Sequence, residues 1–247
     1  MIGRLFLTAA AVAALSSPCL AQTAPVPATA PAAKPVKVLK YLTESDIDPK
    51  RLLPPPTADG SDAYKAELAD VHRIIATATP ERAAQAKWDD DHEDSSMYAA
   101  TIGAGFELAK LPATAEVLAI VQNDASIAAS AAKKTFQRNR PWVLDSTIKT
   151  CDPDDKPLTS YPSGHATLGY SLGMTLAVLI PEKSQAFMAR AADYAYSRAV
   201  CGSHYPSDTQ ASQALAASFV TALLKNPEFE AKMKSAHVEL QAAKLAQ

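Results

Sequence analysis

The chain has 247 residues, 48% of them apolar, and a formal net charge of −2. That length suits one domain with a substantial core, and the near-neutral balance excludes non-specific binding to nucleic acid, which needs a basic excess. Residues 1–21 read as a targeting segment: Arg4 gives a positive start, residues 5–15 an apolar centre, and Cys19-Leu20-Ala21 a small-x-small cleavage site. The apolar run is too short to span a membrane with such an ending. The expectation is a signal peptide cleaved near Ala21, a periplasmic or secreted product, and no membrane association afterwards. Cleavage removes Cys19 and leaves Cys151 and Cys201, a pair that in an exported chain invites a disulfide.

Residues 22–38 are rich in Pro and Ala and read as a flexible or polyproline-like leader. Residues 40–56 read as an extended arm lying on the domain, with Pro54, Pro55 and Pro56 forbidding helix. From residue 57 to 247 the pattern is that of one helical domain. Ser61-Asp62 is a good N-cap for a helix carrying Ala63, Tyr64, Leu68, Val71 and Ile75 on one stripe. Thr79-Pro80-Glu81 opens a second helix, with Pro at its first position. Residues 97–108 and 114–136 follow as helices, the latter with Val117, Val121, Ala125, Ala128 and Ala132 in line. Lys133 and Arg140 then hang from the end of a long helix that Pro141 terminates at Arg140.

Residues 166–180 are apolar on every side, which predicts a buried central helix. Gly169 and Gly173 share one face of it, where a neighbouring helix could approach closely. Further helices are expected at 184–197, 208–224 and 227–245. With no alternating strand pattern of useful length and no internal repeat, the fold class is all-α, a single-domain helical bundle.

The turn Tyr161-Pro162-Ser163-Gly164-His165 stands immediately before the central helix. The unpaired amides and positive dipole end of such a helix start form a ready site for a phosphate-like anion, and His165 in the first turn can reach what they hold. Lys133, Arg140 and Arg198 are candidates for the cations that phosphoryl transfer requires, with Ser163 and the Gly164 amide completing a cradle. His204 and Asp208 are spaced so that the carboxylate can hold one ring nitrogen and leave the other a free lone pair. Lys134 and Arg138 read as solvated surface cations, and His72 and His237 as surface side chains. His92 lies in the acidic run Asp89-Asp90-Asp91-His92-Glu93-Asp94, which has neither the Gly turn nor the ligand spacing of a metal cage and reads as a solvated helix end or loop.

Together these blocks read Lys-x6-Arg-Pro (Lys133 to Pro141), Pro-Ser-Gly-His (Pro162 to His165) and Ser-Arg-x5-His-x3-Asp (Ser197 to Asp208). The order and spacing resemble the tripartite signature of the phosphatidic-acid phosphatase type 2 and vanadium haloperoxidase superfamily. Within it the chain is most similar to the class A bacterial non-specific acid phosphatases. Leu53-Pro54-Pro55-Pro56 looks like the proline cluster preceding the helical core of that class, while Thr159 and Ala166 depart from its usual flanks. The resemblance implies an acid phosphatase acting on a broad range of small phosphomonoesters without metal or other cofactor. It implies His204 as the nucleophile forming a phosphohistidine, His165 as the acid protonating the leaving alkoxide, and Asp208 as the partner of His204. A vanadate-dependent haloperoxidase and a non-catalytic phosphate-binding protein are the alternatives, and the residues leave oligomeric state open.

Overall fold

The helix that opens at the Pro-Ser-Gly-His turn is the one around which the others pack. The structure, a computed structural model, describes residues 37–247; the expected targeting segment, residues 1–21, and residues 22–36 of the expected leader lie outside the described residues. Among the described residues there are helices and turns and no strand. In chain order the helices are α1 (Pro49–Leu52), α2 (Asp62–Thr77), α3 (Pro80–Asp91), α4 (Ala99–Ile102), α5 (Pro112–Phe136), α6 (Pro141–Leu144), α7 (Gly164–Leu179), α8 (Ser184–Val200), α9 (Pro206–Leu224) and α10 (Pro227–Ala242).

α7 is enclosed by α5, α8 and α9, with α10 against α5 and with α2 and α3 against α8. It buries residues on all its faces, as a segment without a polar stripe must. Leu172 and Leu176 are fully enclosed, and truncating either to Ala would cost roughly 2–5 kcal/mol. Gly169 and Gly173 do set a close approach. A Cβ on Gly169 would meet the Tyr194 ring at 2.8 Å, and one on Gly173 would meet the Tyr98 hydroxyl at 2.5 Å and the Ala191 methyl at 3.3 Å. The Tyr98 hydroxyl donates to the Gly169 carbonyl at 2.6 Å, so the space left by the glycines holds a buried and satisfied phenol.

Local sequence accounts for most helix starts. Ser61 accepts from the Tyr64 amide at 3.1 Å and Thr79 from the Arg82 amide at 3.2 Å, each satisfying one orphan donor of the first turn. The expected stripe of α5 is its buried face, with Thr114, Leu118, Asp124 and Ala129 added. α5 has no capping side chain of its own; Glu239 of α10 accepts from the Ala113 and Thr114 amides at 3.0 and 2.8 Å.

Three expectations are corrected. The helix expected over 97–108 is broken into a 3-10 turn (Ser95–Tyr98), α4 and a second 3-10 turn (Leu108–Lys110). Gly103 and Gly105 take φ of 115° and 93°, which a continuing helix cannot accommodate. α5 ends at Phe136 because Gln137 adopts the left-handed conformation with φ 47°, and Pro141 opens α6 instead of closing α5. The arm over 40–56 is not extended throughout: it contains a 3-10 turn (Glu44–Ile47) and α1, started by Asp48 accepting from the Lys50 amide. It does lie on the domain, with the Tyr161 hydroxyl donating to the Pro54 carbonyl at 2.8 Å.

Candidate functional site

Three chain segments converge at the N-terminal ends of α7 and α9: the turn after α5, the start of α7, and the end of α8 running into α9. Ser163 caps α7, its hydroxyl accepting from the Ala166 amide at 3.3 Å, and Ser212 of α9 donates to the Ser163 carbonyl at 2.9 Å. The anion-receptive amides of α7 are thereby fixed to α9. A Cβ placed on Gly164 would lie 3.7 Å from Lys133 Nζ and 3.7 Å from Glu93 Oε1, so the last turn of α5 presents its ammonium beside the Gly164 backbone. Burial, reinforced by Arg140, pushes the Lys133 ammonium down to about 8.

Arg140 is buried and heavily constrained. Its Nη1 donates to the Ser203 carbonyl at 3.1 Å and lies 3.2 Å from His204 Nε2, and its Nε donates to the Lys156 carbonyl at 3.2 Å. Asp155 pairs with it at 2.6 Å. Arg198, at the C-terminal end of α8, is 1% exposed and paired with Asp90 at the end of α3. Its Nε is buried with no hydrogen-bond partner among the described residues, the kind of orphan donor that an anion satisfies.

His204 is almost fully enclosed. Nδ1 lies 3.4 Å from Asp208 Oδ2, and Nε2 is left toward Arg140. Asp208 also accepts from the Ser160 hydroxyl at 2.6 Å and the Tyr205 amide at 2.9 Å. The last contact places an acid in the first turn of α9, where the helix dipole favours it. His165 lies 3.1 Å from the Asp90 carbonyl through Nε2 and 3.7 Å from Glu93 through Nδ1. Both rings are held well below the ordinary imidazole range, first by burial and then by Arg140, Lys133 and Arg198, which act on each of them. All the sequence-predicted site residues are therefore brought into one electrostatic neighbourhood.

Other residues were not anticipated. Arg138, expected on the surface, is 3% exposed and bonded to Asp208 and Glu67. Burying a guanidinium demands carboxylate partners, and they come from α9 and α2. The acidic run that closes α3 is solvated only in part: Asp91, Glu93 and Asp94 are exposed as expected, but Asp89 is fully buried against Arg190 and Ser197, and Asp90 holds Arg198. His92 stacks on Trp88 with ring centroids 3.9 Å apart and lies 2.7 Å from the Trp88 carbonyl through Nδ1. His72 pairs with Asp145 at 2.9 Å on the surface, and His237 is half-buried, 2.8 Å from the Leu179 carbonyl. Lys134 is exposed, as expected. Cys151 and Cys201 form a disulfide, tying the loop that carries Asp155 to the segment between Arg198 and His204. Among the described residues no group of His, Cys, Asp or Glu is arranged to hold a metal ion, and no helix is long and apolar enough to cross a membrane.

A profile of the PAP2 superfamily matches residues 114–231, which include every predicted site residue. An acid phosphatase of Zymomonas mobilis subsp. mobilis is 32% identical over 206 residues, spanning 80% of this chain and 77% of the relative. A non-specific acid phosphatase of Providencia stuartii is 30% identical, with 81% of this chain and 84% of the relative covered. For one of Salmonella typhimurium the identity is 28%, with 80% and 82% covered.

Proposed function

This chain belongs to the PAP2 superfamily and is an acid phosphatase, and on that premise we propose that it hydrolyses a broad range of small phosphomonoesters through a phosphohistidine on His204. The observation that carries the reading is the placement of His204: Nδ1 against a buried carboxylate, Nε2 toward Arg140, and the cradle cations around it. Lys133, Arg140, Arg198, Ser163 and the Gly164 amide surround the phosphoryl oxygens. The His204 Nε2 lone pair attacks phosphorus in line as the ester P–O bond breaks, and the leaving oxygen takes a proton from His165. The positive charge that grows on the His204 ring is met by Asp208. Water then attacks the phosphohistidine, His165 takes its proton, the N–P bond breaks, and inorganic phosphate leaves. Each aligned donor to the transferring group is worth roughly 3–4 kcal/mol in the transition state.

Breadth of substrate follows from recognition that centres on the phosphoryl group. Export to the periplasm or beyond is supported by the targeting pattern of residues 1–21 and by a disulfide, which persists in an oxidising compartment. The test is hydrolysis of p-nitrophenyl phosphate and of alkyl phosphates in EDTA, with and without vanadate, together with acid quench of labelled substrate. Activity that survives EDTA, is inhibited by vanadate and leaves acid-labile, base-stable phosphate on the protein supports the proposal. Activity lost to EDTA, or no trapped phosphate, overturns it.

A further inference from the structure

Arg138 stands two positions before Arg140 in the sequence, yet its hydrogen bonds go elsewhere. Nη1 donates to Asp208 Oδ1 at 2.6 Å and to Ser207 Oγ at 2.8 Å, and Nη2 donates to Glu67 Oε2 at 2.6 Å. The side chain is 1% exposed, and its guanidinium carbon lies 4.0 Å from the centre of the Tyr205 ring. Its backbone carbonyl accepts from the Ser160 amide at 3.1 Å, while the Ser160 hydroxyl donates to the other Asp208 oxygen. We propose that Arg138 is a positioning residue for phosphoryl transfer, holding Asp208 ionised and oriented so that Oδ2, which also accepts from Ser160 and the Tyr205 amide, faces His204 Nδ1. The inference rests on the reading of His204 as the nucleophile.

The physical need is clear from the surroundings of Asp208. The carboxyl is fully buried, and burial pushes it up; Arg138, Ser160 and the Tyr205 amide oppose that rise. Around it stand His204 on its own segment, Arg138 and Arg140 from the turn after α5, Tyr161 from the turn before α7, and Glu67 of α2 behind Arg138. Burial pushes the Tyr161 phenol up to about 12, and burial also raises that of Tyr205, so neither adds charge. Arg138 supplies the cation that bonds Asp208 directly and does not depend on a bound anion. Without it Asp208 takes up a proton more readily, and an O–H then faces the His204 Nδ1–H. Two donors cannot bond, so the ring is driven to the tautomer with its proton on Nε2, and the attacking lone pair is lost.

His204 and Asp208 titrate as a unit. Removing the Arg138 charge eases protonation of that unit, so the acid limb of kcat/KM moves to higher pH. Neutralising Glu67 removes the anion behind Arg138, so the same limb moves to lower pH. The experiment measures pH profiles of kcat/KM on p-nitrophenyl phosphate, and rates of phosphoenzyme formation by rapid quench, for the wild type, Arg138→Gln, Arg138→Lys and Glu67→Gln. Wild-type turnover with trapped phosphate first secures the underlying reading, and its absence would be a failure of that reading instead. The expected result is an upward shift and about a hundredfold slower phosphoenzyme formation for Arg138→Gln, of the order that misplacement of a reacting group produces. Arg138→Lys should restore the position of the limb, and Glu67→Gln should shift it the opposite way. Should Arg138→Gln fail to fold, the Lys and Glu67 variants still decide. Equal losses at every pH, with no displaced limb in any variant, would reduce Arg138 to a structural residue and overturn the proposal.

Discussion

His204 and His165 face the same cations from different surroundings. The side chain of His204 is 2% exposed, with a buried carboxylate at one nitrogen and Arg140 at the other. That of His165 keeps 20% of its surface, and it meets a backbone carbonyl at 3.1 Å and the partly exposed Glu93 carboxylate at 3.7 Å. One ring is enclosed between the Asp208 carboxylate at the start of α9 and Arg140; the other lies at an open edge formed by the end of α3. The contrast teaches where rigidity is useful. On the proposed mechanism, the group that forms the covalent bond works on an invariant phosphoryl centre and gains from pre-organisation, whereas the group that serves the departing oxygen must admit leaving groups of many shapes.

The largest expected effect breaks the comparison at its rigid side. If His204 is the nucleophile, as proposed, His204→Ala removes the covalent path, so turnover should vanish for every phosphomonoester and no label should be trapped after acid quench. Residual label on that variant would move the nucleophile elsewhere.

His165→Ala probes the open side and should depend on the leaving group. Alkyl phosphates should lose about 10²–10⁴ in kcat, the usual range for general acid catalysis, while p-nitrophenyl phosphate, whose phenolate leaves unaided, should lose far less. Phosphoenzyme should still form with the aryl ester. Equal losses on both ester types would remove the acid role from His165.

A smaller effect comes from behind the open side. The Tyr194 ring stacks against His165 with centroids 6.1 Å apart and fills the space over Gly169. Gly169→Ala forces that ring to move and should cost roughly 1–3 kcal/mol of stability as an overpacked core. Alkyl-phosphate turnover should fall more than aryl turnover, because the disturbed neighbour is His165. An unchanged melting temperature would show that the α7–α8 contact is looser than its geometry implies.

The smallest effect is a pH dependence shared by both rings. Their folded values lie below the ordinary value of about 6.5 through burial and cradle cations. The anion-free fold therefore loses stability as pH falls below the unfolded value, until the lower folded values are passed. Bound phosphate offsets the cations, raises both rings and Lys133, and so takes up protons on binding. Thermal stabilisation by phosphate should accordingly be greater at about pH 5.5 than at about pH 8, read by calorimetry at fixed salt. The opposite order would mean that the anion binds away from these histidines.

What the sequence by itself determined was whatever depends on near neighbours: the caps at Ser61 and Thr79, the stripe of α5, the unpolarised α7 and the motif blocks with their histidines and cations. Periodicity and capping act within a few residues, so they leave a readable record. The breaks at Gly103 and Gln137 were legible only in part, since Gly and Gln occur inside helices as well, and conformation there answers to packing. Tertiary structure alone decided the fate of the charges. Arg138 reaches Asp208 and Glu67 across 70 and 71 positions, and Arg198 reaches Asp90 across 108. No local rule distinguishes such an arginine from a solvated one. A charge enters a core only where its counter-charge arrives with it, and which carboxylate arrives is settled by how the helices pack.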